Sequence, residues 1–371
     1  MTLKTAIHST PQTSLTALLA RRPLIISGPC SAETEEQLLR TAHELVTAGS
    51  VDVFRAGIWK PRTRPGSFEG IGKEALSWLR TIKAETGLPV SVEVANARQV
   101  NEAIEGGVDI LWLGARTTVN PFSVQEVADA LKDHQIPVFV KNPLNPDIDL
   151  WTGAVERVQN AGIEWVGLIH RGFSAYGTTL YRNAPMWHLA IEMKRRHINL
   201  PMINDPSHIC GNRHMIPETL QYAADLGYDG VMIESHFDPD QAWSDSNQQL
   251  TPQDLKTILG QIIWRQKKLP LKHEALIEYR EQIDQLDDEI LSLMGKRMVL
   301  SEKIGIYKGR NNISILQLKR WADILERAFK KGRKMNLSDD FIKGYLSTIH
   351  LESIRKQEEQ MNRESKRNDP E

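Results

Sequence analysis

The chain has 371 residues, enough for more than one domain and for a substantial buried core. With 46 basic and 47 acidic side chains, its formal net charge of −1 provides no global field that would attract nucleic acid or an anionic membrane. No stretch approaches the roughly 18 apolar residues of a membrane span, and two cysteines give no disulfide framework. We therefore expect a cytoplasmic enzyme or binding protein without a nucleic-acid or membrane partner.

Proline and tryptophan divide the chain into two parts. Every proline except Pro370 lies at or before Pro270, and every tryptophan except Trp321 lies at or before Trp264. Because proline is excluded from helix interiors, long helices are predicted after Pro270 and many short elements before it. The predicted organisation is a first domain over 1–266, a linker over 267–273, a helical domain over 274–360 and a disordered tail over 361–371.

Eight short apolar or β-branched runs recur through the first part, separated by amphipathic stretches such as EEQLLRTAHELVTAG. Eight strands that alternate with helices over about 250 residues predict an α/β fold, the (β/α)8 TIM barrel. A doubly wound sheet is the alternative, but the strand number and the absence of a G-x-G-x-x-G sequence favour the barrel. The predicted strands are LIISG from Leu24, VFRAG from Val53, VSVEV from Val90, ILWLGA from Ile110, VFVKN from Val138, WVGLIHRG from Trp165, PMINDPSH from Pro201 and GVMIES from Gly230.

In such a barrel, functional side chains lie where the strands end, at the carboxyl face. Loops at this face are polar in any case, so a few charged residues there would mean little. Here every predicted strand contributes at least one charged or reactive residue. These residues are Cys30, Arg55, Lys60, Glu93, Arg116, Lys141, Arg171, Asp205, His208 and Glu234.

A thiol, an imidazole and two carboxylates in this part of the chain predict a site for a divalent transition metal. The four residues are Cys30, His208, Glu234 and Asp245. They follow different strands, so no local spacing supports them. Cys30 alone would more often be a small buried apolar residue, and His208 alone a loop histidine.

The basic residues near the strand ends predict an anionic ligand, because mutually repelling cations converge only when an anion compensates them. A rim of solvated side chains is the alternative. The number of cations favours a ligand with more than one phosphate or carboxylate. The set comprises Arg55, Lys60, Arg62, Arg116, Lys141 and Arg171.

Five motifs occur in order through the first part: GPCSAE, KPRTRPGSFEG, GART, NDPSH and ESHFDPDQAWSDSNQQL. Together they resemble type I 3-deoxy-D-arabino-heptulosonate-7-phosphate (DAHP) synthases. The resemblance implies the four metal ligands above, with Mn2+ as the expected ion, and catalytic roles for Lys60, Lys141, Arg171 and His208. It also implies phosphoenolpyruvate contacts from Arg55, Lys60, Gly114, Ala115, Arg116, Lys141 and Arg171, and erythrose 4-phosphate contacts from Lys60, Pro61, Arg62 and Thr63.

The reaction implied by this resemblance joins C3 of phosphoenolpyruvate to the aldehyde carbon of erythrose 4-phosphate, while water adds at C2 and phosphate leaves. One alternative is the related 3-deoxy-D-manno-octulosonate 8-phosphate synthase, which uses arabinose 5-phosphate and whose second loop resembles KANRS instead of KPRT. Another is a regulator built on a catalytically inactive barrel. Two features depart from the family pattern: His170, where the family usually has Glu, and the segment 173–183.

From Glu274, apolar residues recur at three- and four-residue steps along a long amphipathic stretch. A helix of this length needs a partner helix, so a plain dimerising coiled coil is one interpretation. However, Arg280, Arg297 and Lys308 lie along or beside the apolar stripe, which indicates an anionic guest. The stripe comprises Leu276, Ile283, Leu286, Ile290, Leu293, Leu300 and Ile304.

The motifs REQIDQLDDEILSLMGKR, GIYK, RWADILER and ESIRKQ resemble chorismate mutase of the all-helical class. The resemblance implies rearrangement of chorismate to prephenate, with catalytic roles for Lys308 and Gln357. It implies a homodimer, because the counterpart of Arg280 comes from the other subunit in that class. Gln317 and Trp321 depart from the pattern, so a regulatory ligand-binding or dimerisation module is the alternative. The substrate-binding residues implied are Arg280, Arg297, Lys308, Arg320 and Gln357.

Two further points concern regulation and assembly. We expect chorismate or prephenate bound to the helical domain to inhibit the barrel, and the sequence leaves a higher oligomer open beside the homodimer expected through the C-terminal helices. Cys210 follows His208 by two residues, so it is either an inert buried thiol or, on oxidation, a disulfide partner of Cys30.

Overall fold

The computed structural model describes residues 15–60, 66, 68–177, 180–265 and 274–368. The chain forms two compact units, Met1–Lys267 and Lys268–Glu371. The linker predicted over 267–273 lies outside the described residues, as do Pro61, Arg62 and Thr63.

The first unit is a closed parallel barrel of eight strands, so the predicted (β/α)8 fold is confirmed. Each strand pairs with the next one in the chain, and β1 closes the barrel by pairing with β8 from Leu24–Gly230 to Gly28–Glu234. All eight strands coincide with the predicted runs. Their bounds are β1 Leu24–Gly28, β2 Val53–Ala56, β3 Val90–Val94, β4 Ile110–Leu113, β5 Val138–Lys141, β6 Val166–His170, β7 Met202–Asn204 and β8 Gly230–Glu234.

Helices follow each strand in turn and cover the outside of the barrel. The helices of this unit are α1 Leu15–Leu19, α2 Glu35–Ala48, α3 Ala75–Thr86, α4 Ala97–Glu105, α5 Ala115–Thr118, α6 Pro121–Leu131, α7 Ile148–Asn160, α8 Trp187–Arg196, α9 Pro206–Cys210, α10 Ile216–Asp225 and α11 Pro252–Gln261. The short helices α5 and α9 directly follow β4 and β7, so they lie at the carboxyl face.

Side-chain caps explain where several of these helices begin. Thr34 accepts a hydrogen bond from the backbone N–H of Gln37 at the start of α2, and Gly49 ends that helix with φ of 67°. Asn120 caps α6, whose first residue is Pro121, a residue suited to that position. These capping residues fix the points at which the loops of the carboxyl face end and the helices begin.

The barrel interior contains a hydrophobic cluster separate from the layer between strands and helices. It takes residues from seven strands, and Leu19 of α1 packs into it beside the residues that begin the strands, closing the amino end of the barrel. Strand β3 contributes the buried Ser91 at this level, whose hydroxyl donates to Phe54 O at 3.2 Å. The interior strand residues are Leu24, Ile26, Val53, Ile110, Trp112, Phe139, Ile169, Ile203 and Met232.

Strand periodicity determines which polar residues reach the carboxyl mouth. Successive side chains of a strand point to opposite faces, so the residue two positions after an interior residue also points inward. In six strands this position carries a charged side chain, just above the apolar interior. These residues are Arg55, Glu93, Lys141, Arg171, Asp205 and Glu234.

The second unit is all-helical, as predicted, with α12 Glu274–Arg310, α13 Leu318–Arg333 and α14 Asp339–Asn368. Helix α12 packs against α14, and α13 also packs against α14. Gly305 permits the close approach of α12 to α14, because a Cβ atom there would lie 2.7 Å from Gln357 Cα. None of the described helices of the chain is both long and apolar enough to cross a membrane.

The predicted disordered tail over 361–371 is wrong for residues 361–368, where α14 continues to Asn368. The sequence of this segment has no proline before Pro370 and contains several good helix formers. Met361 also lies against α12, since a Cβ atom on Gly309 would be 3.4 Å from Met361 Cγ. This contact with α12 stabilises the helical conformation of the segment, and it could not be predicted from the polar composition.

His170 lies on the outer face of β6, under α8, because it is out of phase with the inward-facing Arg171. Its ring packs against Phe173, Trp187 and Tyr228. The Tyr228 hydroxyl lies 2.9 Å from Nδ1, and Nε2 lies 2.7 Å from Pro185 O. A neutral ring that donates from Nε2 and accepts at Nδ1 satisfies both contacts, so the departure noted in the sequence is a packing feature.

Burial lowers the pKa of His170 from 6.5 to about 4, although the contact with Pro185 O opposes this shift. The unfolded chain therefore takes up a proton on this residue at a higher pH than the folded chain. We expect its stabilising contribution of about 3 kcal/mol to be present above pH 6.5 and to be lost as the pH falls to about 4. Urea unfolding of the wild type and of His170→Gln across this range would measure it. A stability difference that does not shrink with falling pH would contradict this assignment.

Candidate active site

The carboxyl mouth of the barrel contains a polar cavity that brings together most of the predicted site residues. Six cationic and three carboxylate side chains line it, so the cavity keeps a net positive charge even when the adjacent Asp205 is included. Such a cavity suits a ligand with more than one negative charge. Its lining residues are Cys30, Arg55, Gly57, Trp59, Lys60, Glu93, Arg116, Lys141, Arg171, Arg182, His208, Glu234 and Asp245.

The four predicted metal donors are neighbours in this cavity. Cys30 Sγ lies 3.2 Å from Asp245 Oδ2, and His208 Nε2 lies 3.6 Å from Glu234 Oε1. Among the described residues, however, no group of three or more such side chains converges closely enough to form a finished metal site. The donors therefore form two adjacent pairs on one side of the mouth.

Asp205 orients one of these donors. Its carboxylate lies 2.9 Å from His208 Nδ1 and accepts a hydrogen bond from Lys141 Nζ at 2.7 Å. With the proton on Nδ1, the lone pair of His208 Nε2 faces Glu234 and is available to a cation, which is the arrangement common at metal-bound histidines. The donor types and this orientation fit a divalent metal.

Two cationic side chains, Arg55 and Lys60, donate hydrogen bonds to the metal-type donors Glu234 and Cys30. Arg55 Nη1 donates to Glu234 Oε1 at 3.1 Å, and Arg55 Nη2 donates to Cys30 O at 3.2 Å. Lys60 Nζ donates to Cys30 Sγ at 2.5 Å, to Cys30 O at 3.0 Å and to Ser244 Oγ at 3.1 Å. Lys60 therefore supplies the positive charge nearest to the sulfur.

Trp112 forms the floor of the cavity. The guanidinium of Arg55 lies 5.0 Å and the ammonium of Lys141 lies 5.8 Å from its ring centroid, within cation–π range. Its indole N–H donates to Glu93 Oε2 at 3.1 Å. Gly114 leaves room for Glu93 in this position, because a Cβ atom there would lie 2.0 Å from Glu93 Oε1.

Neighbouring positive groups oppose the effect of burial on the pKa of two buried acids, Asp205 and Glu234. Burial alone would raise the pKa of Asp205, but His208 and Lys141 hold it well below its usual value. Burial also raises the pKa of Glu234, but His208 and Arg55 lower it below its usual value. Burial lowers the pKa of Arg171 to about 10 and raises that of the Cys30 thiol to about 12. The carboxylates are therefore ionised at neutral pH.

Some site residues escaped the sequence prediction. Glu93 and Asp205 were recognised as strand-end residues but not assigned to the site, although strand alternation places both inward. Arg182 and Gln248 carry no periodic signal, because they lie in an irregular segment and a short 3-10 turn. Of the predicted residues, Gly114 and Ala115 lie at the start of α5 and do not line the cavity.

Cys210 faces away from this cavity. Its Sγ lies 3.1 Å from Thr219 Oγ1 in the hydrophobic layer between barrel and helices. Both cysteines are free thiols with different neighbours, so the packing favours the inert role for Cys210.

The helical unit contains a second polar group between its helices. Arg297 of α12 donates to Ser353 Oγ of α14, and Gln357 Nε2 donates to Ser353 O at 3.2 Å. Lys308 is buried and donates to Ile315 O at 2.6 Å. The buried Gln357 Oε1 has no partner among the described residues, so it is an acceptor left for a ligand or water.

Trp321 lies beside this group, with its ring stacked on His350 at 4.3 Å. Burial lowers the pKa of His350, and the charges of Arg297 and Lys308 lower it further, which places the imidazole close to both cations. Arg280 and Arg320 are exposed, and neither contacts the Arg297–Lys308–Gln357 group in the part of the chain that the structure describes.

A parallel barrel with cations and metal-type donors at its carboxyl mouth defines a class of (β/α)8 proteins that bind small anions. Residues 19–271 match the family model of the DAHP synthetase I family, and residues 279–358 match that of chorismate mutase type II. The chain therefore belongs to the DAHP synthetase I family and carries a chorismate mutase type II domain after it.

Similar proteins agree with this assignment. A phospho-2-dehydro-3-deoxyheptonate aldolase from Thermotoga maritima is 32% identical over 226 residues, which cover 61% of this chain and 64% of the relative. A 2-dehydro-3-deoxyphosphooctonate aldolase from Desulfatibacillum aliphaticivorans is 33% identical over 267 residues, which cover 65% of this chain and 90% of the relative. A DAHP synthase crystal structure from Thermotoga maritima superposes with a TM-score of 0.58 at 31% identity, covering 64% of this chain and 67% of that one.

The buried contacts of Asp205 predict a large effect on stability. Asp205→Asn leaves Lys141 buried without an anion, so we expect the free energy of unfolding to fall by about 3–5 kcal/mol. Adding Lys141→Met should recover part of this loss, because the unpaired charge is then removed. Chemical denaturation would measure both effects. The exposed Glu192, paired with Arg195 on α8, provides the matched control, and Glu192→Gln should change stability little. Additive losses in the double variant would contradict the coupling.

Proposed function

We propose that the barrel condenses phosphoenolpyruvate with erythrose 4-phosphate and water to give DAHP and phosphate. The observation that supports this most is the convergence of five predicted cations and four predicted metal donors on one cavity. The reaction also needs both elements, since two phosphorylated reactants must be held together while a carbonyl is polarised.

In this proposal the cations bind and align phosphoenolpyruvate. Arg116, Lys141 and Arg171 neutralise its carboxylate and phosphate, so that C3 of the enol faces the aldehyde. The guanidinium of Arg171 is almost fully buried, and burying a cation without a counter-charge is costly. A bound dianion offsets that cost, which supports assigning Arg171 to the most highly charged group. Lys60 and Arg55 complete the set from β2 and its loop.

Cys30, His208, Glu234 and Asp245 are the proposed ligands of a divalent metal, with Mn2+ as the expected ion. The DAHP synthase family is generally metal-dependent. When bound, the metal supplies Lewis-acid polarisation of the aldehyde oxygen. His208 presents Nε2 to this position because Asp205 holds its Nδ1 proton.

We propose erythrose 4-phosphate as the aldose because of the KPRT sequence at residues 60–63. Lys60, the first residue of this sequence, lines the cavity. Pro61, Arg62 and Thr63 are proposed contacts of the erythrose 4-phosphate phosphate group. Because relatives named 2-dehydro-3-deoxyphosphooctonate aldolase also match the chain, arabinose 5-phosphate is kept as the alternative substrate.

Phosphate release separates these alternatives. Purified protein with phosphoenolpyruvate should release phosphate faster with erythrose 4-phosphate than with arabinose 5-phosphate. A chelator should abolish the release and added Mn2+ should restore it, because the aldehyde then regains its polarising cation. Faster release with arabinose 5-phosphate would exchange the two assignments. No release with either aldose after Mn2+ addition would favour a catalytically inactive barrel.

For the helical unit we propose rearrangement of chorismate to prephenate. Arg297 would bind a substrate carboxylate, and Lys308 and Gln357 would stabilise the ether oxygen, where negative charge develops in the transition state. The ether oxygen is an acceptor, so Gln357 can donate to it only from Nε2, which also donates to Ser353 O at 3.2 Å. Gln357 Oε1, which has no partner among the described residues, can only accept a hydrogen bond. Lys308 is therefore the principal donor in this proposal. Arg320 is a proposed further contact of the substrate.

We propose that the helical unit forms a homodimer that completes this site. The apolar stripe of α12 is exposed along its length: Leu286, Leu293 and Leu300 expose 57%, 62% and 59% of their surface. A continuous apolar stripe of this kind is typical of a helix whose partner is another chain. Arg280 is exposed on the same helix, and in the homodimer it would reach the Arg297 group of the second copy.

Mixing two inactive variants tests both ideas together. Arg280→Ala and Arg297→Ala should each lose most chorismate turnover, because each removes one carboxylate contact. After mixing and subunit exchange, heterodimers contain one intact site, so about a quarter of the wild-type activity should return. Monitoring chorismate loss by absorbance measures this. Full activity of Arg280→Ala alone would contradict a shared site. No turnover by the wild type would favour a regulatory ligand-binding module.

The predictions of a cytoplasmic location and of inhibition of the barrel by chorismate or prephenate remain proposals. The two free thiols support a reducing compartment.

A further inference from the structure

Arg182 connects the segment between β6 and α8 to the metal-type donors. Its Nη1 donates to Asp245 Oδ1 at 3.0 Å and to Gln248 Oε1 at 2.6 Å. Gln248 in turn donates from Nε2 to Glu234 Oε2 at 2.7 Å. One guanidinium therefore contacts one carboxylate donor directly and a second carboxylate donor through an amide.

The chemistry of these groups allows one orientation of the Gln248 amide. A guanidinium can only donate hydrogen bonds and an ionised carboxylate can only accept them. The amide oxygen must therefore face Arg182 and the amide nitrogen must face Glu234. Because Gln248 is buried, it has no competing contact with solvent.

The backbone around Arg182 is itself held against the helix that carries His208. Asn183 Nδ2 donates to His208 O at 2.6 Å, and Asn183 N donates to Ile209 O at 3.1 Å. Gly211 ends α9 with φ of 65°, and a Cβ atom on it would lie 2.6 Å from Arg182 Cβ. Arg182 and Asn183 thus contact three of the four donors: Asp245 directly, Glu234 through Gln248, and His208 through its backbone oxygen.

We propose that Arg182 and Gln248 are positioning residues that fix the two carboxylate donors, Asp245 and Glu234, for a bound divalent cation. The inference rests on the proposed metal role of those donors. Arg182 and Gln248 each bind one oxygen of a carboxylate: Arg182 donates to Asp245 Oδ1, and Gln248 donates to Glu234 Oε2. Glu234 Oε1 also accepts a hydrogen bond from Arg55. The other oxygens, Asp245 Oδ2 and Glu234 Oε1, are those nearest to Cys30 and His208.

A positive charge that acts only through its field would have the opposite effect on cation binding. If Arg182 were only a nearby positive charge, it would repel a cation, and its removal would strengthen cation binding. If it positions the donors, its removal weakens binding although a repelling charge has gone. The sign of the change in Mn2+ affinity distinguishes these two roles.

The test is Mn2+ binding to the full chain, measured by isothermal titration calorimetry and by the electron paramagnetic resonance signal of free Mn2+. We expect Arg182→Met to raise the Mn2+ dissociation constant by about ten-fold or more, and Gln248→Met to raise it as well. Arg182→Lys should retain more affinity than Arg182→Met, since an ammonium still donates. The double variant should lose less than the product of the two separate factors, because the residues act in one chain of contacts.

Arg196→Met is the control, because Arg196 also holds two acids, Asp149 and Glu192, but on the outside of the barrel. It should leave the dissociation constant unchanged. Thermal unfolding without metal checks that every variant is folded. Unchanged or tighter Mn2+ binding by Arg182→Met would overturn the positioning role, and unchanged binding with a raised KM for either phosphorylated substrate would make Arg182 a substrate contact. A wild type that binds no Mn2+ would instead overturn the proposed metal site itself.

Discussion

The structure of the barrel depends on pairing charges that are buried at its carboxyl mouth. Removing one partner of a buried ion pair leaves a desolvated charge, which costs far more than an exposed pair contributes. Arg55 with Glu234, and Lys141 with Asp205, satisfy this requirement within the protein. His208 joins the second pair through Nδ1, so the orientation of a proposed metal donor follows from the pairing of neighbouring charges.

This pairing explains how so many cations can lie together at the mouth. Lys60 and Arg55 donate to the Cys30 sulfur, its carbonyl oxygen and Glu234, while the indole of Trp112 lies under Arg55 and Lys141. The compensation is incomplete, because cations still outnumber carboxylates in the lining. An anionic substrate would neutralise the remaining positive potential. The same cations therefore preorganise the site and provide its affinity for the substrate.

Much of this arrangement was predictable from the sequence. The spacing of apolar runs identified all eight strands, and strand alternation explains why Lys141 and Arg171 point inward whereas His170 does not. The same rule would have placed Glu93 and Asp205 in the site. Arg182 and Gln248 could not be found in this way, because irregular backbone has no period and the partners lie 63 and 14 residues away in the chain. The end of α14 was mispredicted because composition does not report the contact of Met361 with Gly309.

The two units solve the problem of holding an anion in different ways. In the barrel, one chain supplies both the cations and the acids that compensate them. In the helical unit, Arg297, Lys308 and Gln357 lie together, whereas Arg280 lies on a helix whose apolar stripe is largely exposed. Burying that stripe against a second copy would release the free energy that orders an otherwise solvated arginine. For this unit, association and completion of the proposed site would therefore be the same physical event.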